Sequence, residues 1–432
     1  MERPHGTPVQ VEGAQGPLSP ARSKAIVDRL KAGGKETNIF DIHLAVEEDI
    51  AGSPLTAGNK VALLQDGPTT YKAMMGAIES ARDHINMETY IFDDDDVGQR
   101  FAEALIAKQK AGVQVNLIRD SVGTMGTPAE FFASLTEAGI NVLEFNPVNP
   151  LATLAEGWDV NERDHRKLLV VDGKVAFLGG INISSVYSGG SFSQSSKVPA
   201  DGQLPWRDTD LQIEGPAVAE VQKLFVGTWE KQKGPPLAPR DYFPQPKPEG
   251  GEVVRIIGSS PDEPFSLIYA TLISALHSAE TEIWITNAYF VPDPQLVTAL
   301  EAAVARGVDV KLVLPSKTDS WLVFHAGRAN YTELLKAGVK LYERQDALLH
   351  AKAAVIDGVW STVGSTNLDW RSFLHNEEVN AVVLGAGFGD RMRAAFLADL
   401  KKSDEVTLKR WKQRSVDVRV KELIGRMWEY WL

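Results

Sequence analysis

Two of the chain's eight histidines share a setting that the other six lack. His165 and His350 are each followed two residues later by a lysine, Lys167 and Lys352. After four more residues comes an aspartate, Asp172 or Asp357. After six more residues stand Gly179-Gly180-x-Asn182 in one case and Gly364-Ser365-x-Asn367 in the other. In an apolar β-type run, positions two apart project from one face, so each imidazole has a fixed cation beside it. Asp172-Gly173 and Asp357-Gly358 read as the tight turns of hairpins. Each return strand then brings the small pair (Gly180 or Ser365) and the asparagine (Asn182 or Asn367) back toward the histidine and lysine. Small residues admit a bulky anion close to the backbone, and the asparagines supply amide donors. Doubled about a pseudo-twofold axis, these residues make a pocket for one phosphate group. For Asp172 and Asp357 a turn role competes with a direct catalytic part. His5, His43, His84, His277, His325 and His375 read as surface or packing residues.

The elements that carry these motifs are themselves repeated. Residues 61–120 run as an apolar stretch (VALL), a helix-period segment, a strand-like INMETYIF, a second helix and AGVQVNLI. Residues 253–314 repeat the order as VVRII, a helix, IWITNAYF, a helix and RGVDVKLVL. Strands alternating with helices of this length imply β-α-β units and a mixed sheet, and two copies imply two similar α/β domains. Between them, Gly234–Pro248 holds six prolines and reads as an extended linker. The expected division is an N-terminal extension over 1–60, a first domain over 61–232, a linker over 233–252, a second domain over 253–400 and a C-terminal basic and aromatic segment over 401–432. The extension is expected to pack loosely around one short helix near Ala25–Leu30. Tyr187–Pro205 reads as a mobile surface loop.

Composition bounds the function. The chain has 432 residues, 44% of them hydrophobic and 24% charged, a globular profile. It has no cysteine, which excludes disulfides, thiolate metal sites and a cysteine nucleophile. No apolar run reaches the roughly 18–20 residues of a membrane span, and the first residues lack a signal-peptide pattern. The net charge of −12 argues against non-specific nucleic-acid binding.

The segments HRKLLVVDG…LGGIN and HAKAAVIDG…VGSTN resemble the duplicated HKD motif of the phospholipase D superfamily. The likeness runs from about Val61 to Arg414, through YIFDDDDVGQRFAEAL, FNPVNP, WRDTDLQIEGPAV and GSTNLDWRSFLHNEEV. Within the superfamily it is greatest for bacterial cardiolipin synthases without N-terminal membrane spans. The resemblance implies an α/β fold of two α-β-α domains with mixed sheets, related by a pseudo-twofold, with the active site at their interface. It implies one histidine as nucleophile, forming a phosphohistidine, and the other as general acid. His165 is assigned the first role and His350 the second, although the symmetry of the motifs does not separate them. Lys167, Lys352, Asn182 and Asn367 are then expected to hold phosphate oxygens, with Gly180 and Ser365 flanking the site. An acid downstream of each motif is expected to orient an imidazole. Asp208 matches the first position, and Asn376-Glu377-Glu378 makes Glu378 the second, with Glu377 where the family carries an aromatic residue. No metal or other cofactor is expected, since two lysines supply the charge. Attack by a second phosphatidylglycerol gives cardiolipin, whereas attack by water gives phosphatidic acid. A nuclease-like phosphodiesterase is the remaining enzyme reading.

Phospholipid substrates require contact with a bilayer. Residues 401–426 hold nine Lys/Arg against four Asp/Glu, a local charge of +5, interleaved with apolar residues, and the chain ends MWEYWL. This suits contact with an anionic membrane, against the alternative of a helix packed on the second domain. Peripheral association with the cytoplasmic side of the cell membrane is the resulting expectation, with the oligomeric state open.

Overall fold

The computed structural model describes residues 9–33, 37–50, 52–148, 161–189 and 204–427. The repeat is realised as two seven-stranded units. The first uses β1 (Leu55–Leu64), β2 (His84–Thr89), β3 (Gln114–Asp120), β4 (Asn141–Phe145), β5 (Leu168–Val171), β6 (Val175–Gly179) and β7 (Asp210–Glu214). The second uses β8 (Glu252–Ser259), β9 (Glu282–Asn287), β10 (Asp309–Pro315), β11 (Lys340–Arg344), β12 (Lys352–Ile356), β13 (Trp360–Gly364) and β14 (Asn376–Leu384). In space the first runs β4-β3-β2-β5-β6-β7-β1, parallel over its first three strands and antiparallel beyond. The second runs β11-β10-β9-β12-β13-β14-β8 in the same pattern. The central strands are buried on both faces, so their sequences are continuous apolar runs such as LLVV.

One strand joins the two sheets. The end of β1 (Lys60–Leu64) pairs with β7, and its beginning pairs with β8. Facing residues from both units, including Leu168, Val170, Ala176 and Leu178 from one and Val355, Val363, Val379 and Ala381 from the other, share a single core cluster. Helices cover the outer faces, and aspartates set several of their starts. Asp66, Asp95 and Asp293 accept amides of Thr69, Val97 with Gly98, and Leu296.

The first 60 residues depart from expectation. They hold helices Pro20–Ala32 and His43–Ile50, and Ile39, Phe40, Leu44 and Leu55 are buried in the core of the second unit. Apolar residues at helical spacing need a partner surface, and the second unit's Ile268–Leu276 face supplies it. The segment is therefore integral to the fold rather than loosely packed. The C-terminal segment also folds back on the second unit. Ser403–Val406 extends its sheet beside β11, and helix Val416–Met427 packs on helix Trp321–Ala329. Most of the 187–205 loop and the final MWEYWL, apart from Met427, lie outside the described residues. No helix among the described residues is long and apolar enough to cross a membrane.

Candidate active site

Each histidine is seated by the opposite unit. Arg163–Asp164 pairs in parallel with Asn376–Glu377, and the His165 amide donates to the Glu377 carbonyl at 3.0 Å. Leu348–Leu349 pairs in parallel with Trp206–Arg207, and the His350 amide donates to the Arg207 carbonyl at 2.8 Å. The side chains follow the same exchange. His165 Nδ1 lies 3.0 and 3.1 Å from the two oxygens of Glu378, and His350 Nδ1 lies 2.6 Å from Asp208 Oδ2. Both carboxylates are fully buried. With the proton held on Nδ1, the lone pair of each ring falls on Nε2, the nitrogen a nucleophile or base uses.

The small residues serve the acids. A Cβ on Gly180 would come within 2.2 Å of Asp208 Oδ1, so glycine makes room for that carboxylate. At the matching position Ser365 donates its hydroxyl to Glu378. Gly180 and Ser365 thus act on the histidines' partners, a correction to the expectation that they flank the phosphate. Asn182 is partly committed as well, accepting the Ile91 amide and donating to the Tyr187 hydroxyl at 2.9 Å. Asn367 faces the cavity, its Oδ1 without a partner among the described residues. Lys167 Nζ donates to the His165 carbonyl at 2.5 Å, and Lys352 Nζ lies 2.9 and 3.1 Å from the ring nitrogens of His350.

Burial dominates the electrostatics. It lowers His165 to about 4, against the pull of Glu378, and it also lowers His350, with Lys352 adding to the effect. Both rings are therefore neutral at pH 7. Burial acts to raise Glu378, but His165, Lys167 and Ser365 outweigh it and hold the group at about 2. Burial lowers Lys167 to about 7 and Lys352 to about 8, despite nearby carboxylates. Burial thus disfavours the charge on both lysines, and an anion entering beside them favours it again.

Asp172 and Asp357 are placed elsewhere. Both occupy left-handed backbone at the far ends of their hairpins, with φ of 53° and 51°. The Asp172 carboxylate accepts the amides of Arg82, Asp83 and His84, and Asp357 accepts those of Glu280, Thr281 and Glu282. They tie each hairpin turn to the start of the neighbouring strand, β2 or β9, and the direct catalytic part expected of them is not what the geometry supports.

A cavity of about 310 Å³ opens at the seam, with His165 and His350 in its wall. Aromatic rings pack on both histidines, Tyr90 on His165 at 5.2 Å and Trp206 on His350 at 4.9 Å between centroids. Tyr187, read from sequence as the start of a surface loop, is buried with its hydroxyl 3.4 Å from His350 Nδ1. Arg163, Tyr289, Asp319, Asp369 and Arg371 also line the cavity. None of these residues belongs to the histidine–lysine–asparagine motifs. Arg163 stands two residues before His165, and Tyr90, Trp206, Asp369 and Arg371 fall in the segments that carry the resemblance. Glu377, the departure from the family pattern, is buried against Arg166 at 2.6 Å and Lys231 at 2.7 Å. Among the described residues, the acids close enough to share a cation are Glu162, Asp262 and Glu377, and Lys231 already bonds each of them.

Two repeated units, each lending a histidine to one seam and a carboxylate to the other's histidine, define a phospholipase D-like protein. A family model described as cardiolipin synthase, PLD-like domain, matches residues 74–188 and 272–400. A cardiolipin synthase of Geobacillus sp. (strain WCH70) is 35% identical over 389 residues, covering 89% of this chain and 74% of that protein. Cardiolipin synthase A of Pseudomonas putida is 35% identical over 360 residues, covering 82% and 71%. The crystal structure of a phosphatidylserine synthase from Haemophilus influenzae Rd KW20 shares the fold, with a TM-score of 0.64 at 12% identity over 90% of this chain and all of that one. The chain belongs to the cardiolipin synthase family of phospholipase D-like proteins.

Proposed function

We propose that the protein is a phosphatidyltransferase that makes cardiolipin and glycerol from two molecules of phosphatidylglycerol through a phosphohistidine. The observation that carries this reading is the crossed pair His165–Glu378 and His350–Asp208, which turns two neutral imidazoles toward one cavity. As the donor's anionic phosphate enters and raises its proton affinity, His350 takes up a second proton from solvent at Nε2. His165 Nε2 then attacks the donor phosphorus while His350 gives that proton to the departing glycerol oxygen. A hydroxyl of the second lipid then attacks the phosphatidyl-histidine and returns a proton to His350. Lys167 and Lys352 regain full charge beside the phosphate and stabilise the oxygens on which charge develops. Splitting the displacement into two steps through a covalent intermediate lowers each barrier.

The lipid reaches the site at a bilayer surface. Val416, Val420, Leu423 and Met427 lie at helical spacing on helix Val416–Met427 and are exposed, Met427 by 74%. Arg419, Lys421 and Arg426 lie on the same helix. Its inner side packs through Gly425, whose Cβ would meet the Ala326 amide at 2.4 Å. The underlying helix Trp321–Ala329 brings Val323 to the cavity wall and leaves Trp321 half exposed. An apolar stripe with basic neighbours, one helix away from the cavity, supports peripheral docking on the anionic, cytoplasmic face of the cell membrane.

The test is product analysis from phosphatidylglycerol vesicles together with acid trapping of the covalent enzyme. Cardiolipin and glycerol should form in equal amounts, with activity unaffected by chelator. Phosphatidic acid in place of cardiolipin, with glycerol still released, would establish hydrolysis. His350→Ala should still trap a labelled phosphatidyl-enzyme and His165→Ala should not, and the reverse pattern would exchange their roles.

A further inference from the structure

We propose that the cavity holds a second phosphate, and that Arg163 and Arg371 bind the acceptor lipid's own phosphodiester while the histidines act on the donor's. The inference rests on the transferase reading above and names the residues that choose its acceptor.

Arg163 is only 1% exposed, yet its Nε and Nη2 have no partner among the described residues. Its Nη1 donates to the Ser121 hydroxyl at 2.8 Å. The nearest acid, Asp120, stands 3.8 Å away, with its oxygens already accepting the amides of Val122, Gly123 and Asp164. A guanidinium cannot shed its proton at ordinary pH, so burying one with open donors is costly unless an anion arrives. Arg371 lines the same cavity, half-buried, with Nη1 on Asn161 Oδ1 at 3.0 Å. Both arginines act electrostatically on Tyr90, the ring that packs on His165. The wall near His350 differs, since Tyr289 packs on that ring and donates its hydroxyl to Asp319. The two arginines thus lie toward the His165 side, where Asp120 and Asp319 act on the same ring.

The repeat shows that these arginines are additions. The residue two before His350 is Leu348, the counterpart of Arg163, and the two occupy equivalent parallel pairings. Arg371 lies four residues after Asn367, where the first unit has Val186. The symmetric set of histidines, lysines and asparagines is complete without either arginine, so a single phosphate does not need them. A cavity of about 310 Å³ lies in the size range of small-ligand pockets. In the transfer step the acceptor oxygen forms a bond to the donor phosphorus, the bond from phosphorus to His165 Nε2 breaks, and the hydroxyl proton passes to His350. Fixing the acceptor's phosphodiester places that hydroxyl and disfavours water.

The experiment compares two reactions of one enzyme on phosphatidylglycerol vesicles, cardiolipin formation and exchange of labelled free glycerol into phosphatidylglycerol. Both use the same donor step, but free glycerol has no phosphate. Arg371→Gln should lower cardiolipin formation on the order of tenfold to a hundredfold, the worth of a charge-assisted contact, with glycerol exchange retained and phosphatidic acid raised. Arg371→Lys should restore part of the loss. Arg163→Gln should behave alike, and Arg371, nearer the surface, carries the test if that variant does not fold. A parallel fall in both reactions, or no change in either, would overturn the inference. Wild-type enzyme that makes phosphatidic acid but no cardiolipin would instead sink the transferase reading, and this inference with it.

Discussion

His165 Nδ1 and the carboxylate of Glu378 lie 3.0 Å apart although 213 residues separate them in the chain. The acid that orients the first motif's histidine belongs to the second unit, and Asp208 returns the relationship to His350 across 142 residues. At neither motif histidine does its own unit supply the carboxylate. The active site is therefore a property of the docked halves.

This exchange makes the two acids equivalent in kind. Glu378→Gln and Asp208→Asn should each lower kcat by roughly 10²–10⁴, since an amide no longer holds the imidazole in the productive tautomer. KM should move far less. The double variant should be little worse than either single one, because the groups act as a unit. Steady-state kinetics on phosphatidylglycerol vesicles measure this, and additive losses would contradict it.

The pH dependence follows from the buried groups. His165 must be neutral to attack, and with its pKa lowered to about 4 by burial, kcat/KM should fall as pH drops through about 4. His350 must carry a proton and Lys167 and Lys352 must be charged, so kcat/KM should also fall as pH rises. The lysines act through about 7 to 8, and His350, lowered by burial and Lys352, acts further to the acid side. Stability behaves differently on the alkaline side. The unfolded lysines keep their protons up to about 10.5, so above pH 7 the unfolded state binds more protons and these two groups make the fold more stable as pH rises. On the acid side, the unfolded chain protonates His165 near 6.5 but the folded one only near 4, so stability falls as pH drops across that window. A pH–rate profile beside thermal melts separates the two limbs. Activity and stability declining together between pH 7.5 and 10 would count against the lysine assignment.

Asp172→Asn and Asp357→Asn should reduce stability by about 1–3 kcal/mol while leaving kcat unchanged, since each carboxylate binds backbone amides far from the histidines. Asparagine tolerates the left-handed backbone there, so the substitution isolates the loss of charge. Melting temperature and kcat measured on one preparation decide the matter.

Leu423→Glu should weaken binding to anionic vesicles by about tenfold or more, the value of one exposed leucine entering an apolar phase, and leave turnover of detergent-dispersed lipid intact. Vesicle sedimentation at two salt concentrations checks this, because basic residues beside the stripe add a salt-sensitive part. Binding equal to wild type would assign the helix a packing role alone.

Much of this protein was legible in its sequence because the relevant signals are local. Spacing of His165 with Lys167 and of His350 with Lys352, the Asp-Gly turns and the alternation of strands with helices each depend on neighbours within one hairpin or one β-α-β unit. Residues 1–60 give little local signal because their few apolar residues gain meaning only when the second unit offers a face. Around Tyr187, glycine and serine signal a surface loop, whereas its ring is buried beside His350.

Sequence by itself determined the repeat, the histidine and lysine pairs and the family they belong to. Tertiary structure alone decided that the acids cross between units, that Asp172 and Asp357 serve the backbone, and that Arg163 and Arg371 share a cavity with His165. The physical reason is distance along the chain. Which buried charge meets which partner depends on how the two sheets dock through β1 and their shared core, and no local pattern records that docking.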